Sequence, residues 1–115
     1  MDQNITDETI MSRLQTLPNE IANADRRVIE LTLAVERTKR ELNQKEVAII
    51  TGEITIDLSD DPAIRDAQIW IHTEVERNRV QTVQQELSLY KAGRDHLERE
   101  FEAMQALSRL RGVAL

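Results

Sequence analysis

Cysteine is absent from the chain, so neither a disulfide framework nor thiol chemistry is available to it, which suits a reducing compartment. Aromatic side chains are nearly absent as well: Trp70, Tyr90 and Phe101 are the whole set. Only three glycines and two prolines interrupt the 115 residues. Together with abundant charge of both signs, this is the composition of long helices rather than of a globule with a thick core. Long hydrophobic runs are missing too. The longest, Val47 to Ile50, falls far short of the roughly 20 residues of a membrane span. The opening Met-Asp-Gln-Asn-Ile has neither the basic region nor the apolar stretch of a signal peptide. A soluble, cytoplasmic chain of one domain at most is expected.

The groupings that carry chemistry are also missing. His72 and His96 follow Ile69 and Gly93 by three residues, so neither completes the Glu-x-x-His pair of a metal-binding bundle. Each has a glutamate four residues on, Glu76 and Glu100, a spacing that reads as a solvated pair on a helix face. Gly52, Gly93 and Gly112 are too scattered to cradle a phosphate, and no serine sits in a glycine elbow. No catalytic residue, no metal and no cofactor is expected. The chain does not read as an enzyme.

What is present is a seam. Steps of four and three residues from Ile10 land on Leu14, Leu17, Ile21, Ala24, Val28, Leu31, Val35, Thr38, Leu42, Lys45 and Ile49, and only Thr38 and Lys45 are not apolar. That 3.5-residue repeat marks a helix burying one narrow stripe against another helix. Thr6 or Asn4 is positioned to cap its start, where Asp7 and Glu8 suit the positive end of the helix dipole. Pro18 interrupts the helix but not the phase, which predicts two nearly collinear pieces over about 6–16 and 18–50. Gly52 is a natural stop.

A second helix is expected from about 62 to 111, opened by the Asp61-Pro62 cap and carrying a seam at Val80, Val83, Leu87, Tyr90, Arg94, Leu97, Phe101 and Met104. Upstream the phase weakens: Ile69, Thr73 and Glu76 continue it, while Trp70, Ile71 and Val75 lie off it. Between the helices, residues 51–61 form a connector whose Ile54, Ile56 and Leu58 alternate with polar residues. Two readings stand: an extended loop tucking these side chains over the helix ends, or a strand that pairs with another chain. Segment 53–62 holds Glu53, Asp57, Asp60 and Asp61 with no base, and so repels phosphate.

Folding the helices antiparallel, seam on seam, brings Leu31 to Val80, Val28 to Val83, Ala24 to Leu87, Ile21 to Tyr90, Leu14 to Leu97 and Ile10 to Phe101. Lys45 then faces Asp66 as an ion pair and Thr38 faces Thr73, leaving Leu17 against Arg94 and Val35 against Glu76 as mismatches. The expected fold is all-α: a long antiparallel helical hairpin, a coiled coil, with Leu42 also in its seam. Met11, Ala22, Ile29 and Leu33 lie off the seam on the first helix, and on the second Leu89, Ala92, Ala103, Ala106, Leu110 and Val113 recur as a second stripe made of small side chains. The six residues Ile29, Leu33, Leu89, Ala92, Ala103 and Ala106 are the expected oligomer face, most simply that of a homodimer forming a four-helix bundle. Basic residues are interleaved with acid along the flanks. Arg26, Arg27, Arg109 and Arg111 are the candidates for phosphate contacts should nucleic acid bind.

The chain resembles small coiled-coil hairpin proteins of bacteriophages and prophages, found near recombination genes. The resemblance rests on Leu17-Pro18-x-Glu20-Ile21, on Arg65-Asp66-Ala67, and on the tail from Leu97 to Arg111 with Phe101, Met104, Leu107 and Leu110. The Ile54–Leu58 insert departs from that class. The resemblance implies accessory work in phage DNA metabolism through protein contacts, with no activity assigned to any residue. A second comparison is with the β-type subunits of prefoldin, also helix–connector–helix chains, although residues 51–61 are too few for the two strands those subunits carry. The expected function is therefore that of a non-enzymatic interaction or scaffold protein with an unidentified protein partner. A nucleic-acid accessory and a prefoldin-like chaperone are the alternatives.

Overall fold

A computed structural model describes residues 5–112, and every regular element among them is an α-helix. In chain order these are α1 (Asp7–Ile50), α2 (Pro62–His72) and α3 (Glu74–Arg111). Asn4 and Val113 lie outside the described residues.

Local chemistry sets the helix ends. At the start of α1 the Thr6 hydroxyl accepts the Thr9 N–H at 3.1 Å, which satisfies one of the orphan donors of a first turn. The helix then runs unbroken through Pro18 instead of dividing there. Proline withholds a hydrogen bond from the Leu14 carbonyl, yet Pro18 is exposed while its neighbour Leu17 is fully buried, so burial of the seam carries the helix across the defect. At the other end the Thr51, Gly52 and Ile54 N–H groups fold back onto the carbonyls of Val47, Ile49 and Ala48. This reversal places Gly52 at φ +84°, a conformation that costs a residue bearing a Cβ about 1 kcal/mol.

The connector contains no strand pairing among the described residues; Ile56 and Leu58 are half-buried and Ile54 is exposed. Gln68 of α2 holds it down, accepting the Ser59 N–H at 2.9 Å and donating to the Asp57 carbonyl at 3.1 Å. Asp61 caps α2 by accepting the N–H groups of Ala63 and Ile64, with Pro62 in the first turn where a missing donor is harmless.

The single helix expected over 62–111 is instead divided at Thr73, which leaves helical geometry at φ −112°, ψ 14°. Thr73 is buried, and its hydroxyl donates to the Ile69 carbonyl at 2.8 Å. A β-branched residue with a hydroxyl that competes for the preceding turn is a natural place for a break. Arg77 bridges it: its Nε lies 3.4 Å from the Thr73 hydroxyl, its terminal nitrogen donates to the Trp70 carbonyl, and its guanidinium stacks 3.3 Å from the centre of the Trp70 ring. The weakened seam phase around Trp70, Ile71 and Val75 is the trace of this break in the sequence.

The chain divides into two compact units. Unit 1 comprises residues 1–29 and 88–115, and unit 2 comprises residues 30–87. The core of unit 1 is Ile10, Leu14, Leu17 and Met104, with Ile5, Leu97, Phe101 and Leu107 packed against it. Its two helical segments are antiparallel: moving up α1, Arg13 pairs with Glu100 and Asp25 with Arg94, so the partners descend α3. Unit 2 buries Leu31, Val35, Thr38, Ile49, Thr73 and Val80.

The pairing register departs from expectation by one heptad. Met104, not Leu97, joins Leu14 in the buried core of unit 1, and Lys45 of unit 2 pairs with Glu76 at 3.2 Å, not with Asp66. A shift of seven residues carries seam onto seam, so apolar pattern alone does not tell the two registers apart. Phe101 packs against the core that holds Leu17, and Arg94 reaches Asp25. A Leu14→Cys/Met104→Cys pair is expected to form a disulfide within one chain under mild oxidation, and a Leu14→Cys/Leu97→Cys pair is not. Non-reducing gels with denatured molar mass distinguish the two, and preferential closure of the second pair would restore the other register.

Candidate interaction surfaces

The seam residues are graded in burial. Ile10, Leu14, Leu31 and Val80 are buried, Ile21, Val28, Leu42, Val83, Leu87, Leu97 and Phe101 are half-buried, and Tyr90 is exposed. Tyr90 stands under the Arg27 guanidinium, 5.6 Å from the ring centre, an amphipathic ring at the edge of the apolar stripe. Leu17, Val35 and Ile49 complete the buried apolar set on α1, and Thr38 is buried with them.

Unit 1 is clamped by Arg13. Its Nε and one terminal nitrogen contact both carboxylate oxygens of Glu100, at 2.6 and 2.9 Å, while the other terminal nitrogen reaches Glu20 at 2.6 Å. Glu20 lies seven residues along α1, two turns away on the same face, so the guanidinium fork is held on its own helix before it crosses to α3. The Arg13 hydrogen bonds hold the Glu100 carboxyl below its ordinary value against the opposing effect of burial. Arg94 is the second crossing, donating to Asp25 and also contacting Glu98 at 2.9 Å and Asp95 at 3.3 Å. Periodicity assigned Arg13 no role, because a charged residue beside a seam reads as an ordinary flank; the seven-residue spacing to Glu20 was the available signal.

The arginines considered for phosphate are differently placed. Arg111 is occupied by the Ile5 carbonyl and the Asp7 carboxylate, and Arg27 by the Tyr90 ring. Arg26 contacts Asn23 at 3.3 Å on an exposed turn, and Arg109 is exposed. The structure therefore does not gather the four into one basic patch. Of the expected oligomer face, Ile29 is 61% and Leu89 72% exposed in unit 1, where Ala92, Ala103 and Ala106 are exposed as well. Leu33, in unit 2, is also exposed.

Unit 2 carries two adjoining clefts at its connector end that share Ile50, Asp66 and Ile69. One, of about 320 Å³, is completed by Glu46, Trp70 and Arg77; the other, of about 340 Å³, by Leu58, Asp60 and Arg65. Across the unit, Lys45 meets Glu76; burial pushes that carboxyl up, but its backbone hydrogen bond and the Lys45 ammonium bring it below its ordinary value. Among the described residues, no three His, Asp or Glu side chains are grouped to hold a metal ion. No described helix is long and apolar enough to cross a membrane.

Glu100 and Glu76 both titrate lower in the folded chain than in the unfolded one. Their contribution to stability is complete above the unfolded glutamate value, about 4.3, and is lost as pH falls through the lower folded value. Glu100→Gln is expected to lower the melting temperature near neutral pH and to reduce the further loss on acidification to about pH 3. Circular-dichroism melts at both pH values check this, and equal acid sensitivity in parent and variant would remove the clamp from the account.

Comparison of the chain with protein-family models, with curated proteins and with solved structures returns no match.

Proposed function

We propose that the chain is a non-enzymatic interaction module: an antiparallel coiled-coil hairpin that self-associates through a helix flank and works through protein contacts. The observation that carries this reading is the exposure of Ile29 and Leu89 in unit 1, beside the exposed small residues Ala92, Ala103 and Ala106. Large apolar side chains flanked by alanines let helices from two copies approach closely, and their burial stabilises the assembly by roughly 25 cal/mol per Å² of apolar surface. A dimer forming a four-helix bundle is the simplest such assembly. The resemblance to phage hairpin proteins supports a cytoplasmic accessory role in phage-type DNA metabolism, exercised through proteins rather than through phosphate. The engagement of Arg27 and Arg111 by neighbouring groups supports the same preference.

Light scattering at low and high salt, with and without a single-stranded oligonucleotide, tests the reading. A dimer indifferent to both is expected, and Leu89→Asp is expected to give a folded monomer. A parent protein that is monomeric at all concentrations would overturn self-association. A mass that rises with oligonucleotide only at low salt would replace the protein-contact reading with a nucleic-acid one.

A further inference from the structure

The connector end of unit 2 combines two properties rarely left together on a surface without a partner. The first is apolar exposure: Ile50 is 63% and Trp70 63% exposed, and together with Ile69 and Leu58 they line the two adjoining clefts. The second is charge. Residues 46–75 hold seven acids (Glu46, Glu53, Asp57, Asp60, Asp61, Asp66 and Glu74) against Arg65 alone, a net −6 that equals the excess of the whole chain. Glu46, Asp60 and Asp66 stand around the clefts and have no ion-pair partner among the described residues. Arg77, the cation bordering the first cleft, is committed to the Trp70 ring and carbonyl.

The geometry points to a docking surface for a cationic amphipathic helix of a partner protein, whose apolar side chains fill the clefts over Ile50, Ile69 and Trp70 while its lysines or arginines meet Glu46, Asp60 and Asp66. Charge selects this occupant. A second copy of the same surface brings like charge against like, and an anionic lipid surface or a nucleic acid is repelled for the same reason. A cationic helix gains on both counts: apolar contact gives affinity, and complementary charge gives encounter rate and discrimination. The proposal rests on the reading of the chain as a protein-contact module, but not on its self-association.

Trp70 is the sole tryptophan and lines the first cleft, so its fluorescence reports directly on occupancy. The probe is a synthetic peptide of two heptads of leucine and lysine with its leucines on one helical face; a leucine–glutamate peptide of the same pattern is the control. A saturable blue shift with the lysine peptide, weakening steeply with salt and absent with the control, is the expected result. The combined Glu46→Gln/Asp66→Asn variant is expected to bind roughly tenfold more weakly at low salt. Ile50→Ser is expected to lose most binding in calorimetry while keeping its helical circular dichroism, because that side chain contributes little to the core. Leu89→Ser, in unit 1, is expected to bind like the parent. No saturable shift, an equal shift with the glutamate peptide, a shift only with anionic phospholipid vesicles, or undiminished binding by both cleft variants would each overturn the proposal. A protein that is monomeric in light scattering yet binds the lysine peptide would retain this surface and remove only the dimer.

Discussion

The structure depends on one constraint: the helical segments of each unit must bury narrow apolar stripes against one another. A stripe repeating every seven residues meets its partner equally well at any whole-heptad offset, so hydrophobic burial drives the pairing without choosing its register. Polar and shape terms make the choice. Arg94 gains Asp25, Lys45 gains Glu76, and Leu17 and Phe101 share one core. Each effect is small. They act in the same direction, and the competing register has no hydrophobic advantage to set against them.

The same reasoning explains why irregular features sit where they do. Pro18 is tolerated within α1 because the residues beside it, Leu14 and Leu17, are among the most buried on the helix, so tertiary burial outweighs the local defect. Thr73 is not carried through in the same way, because the residues flanking it, Trp70, Ile71 and Val75, are exposed and supply little packing to hold a continuous helix. There the side chain of Arg77 takes over part of what backbone hydrogen bonding gives up.

The two units expose different chemistry. Unit 1 presents small residues with Ile29 and Leu89 along flanks of mixed charge, while unit 2 presents larger apolar side chains amid uncompensated acid. Close helix–helix approach suits the first; electrostatic repulsion between copies opposes it at the second.

The sequence by itself determined the all-α class, the seam on α1, the Asp61-Pro62 cap and the Gly52 stop, because each depends on periodicity or on chemistry within a few residues. The break at Thr73 was legible only as a loss of phase at Trp70, Ile71 and Val75, since whether a helix survives a weak stretch depends on what packs against it. Among the surface features, the acidic connector was countable, but the clefts that join Ile50 to Ile69 and Trp70 were not. They bring the end of one helix beside another across the connector, a juxtaposition no local pattern encodes. The heptad register belongs with them: only the tertiary structure decided it, because charges distant in sequence had to be set against one another before one of two equally apolar pairings could win.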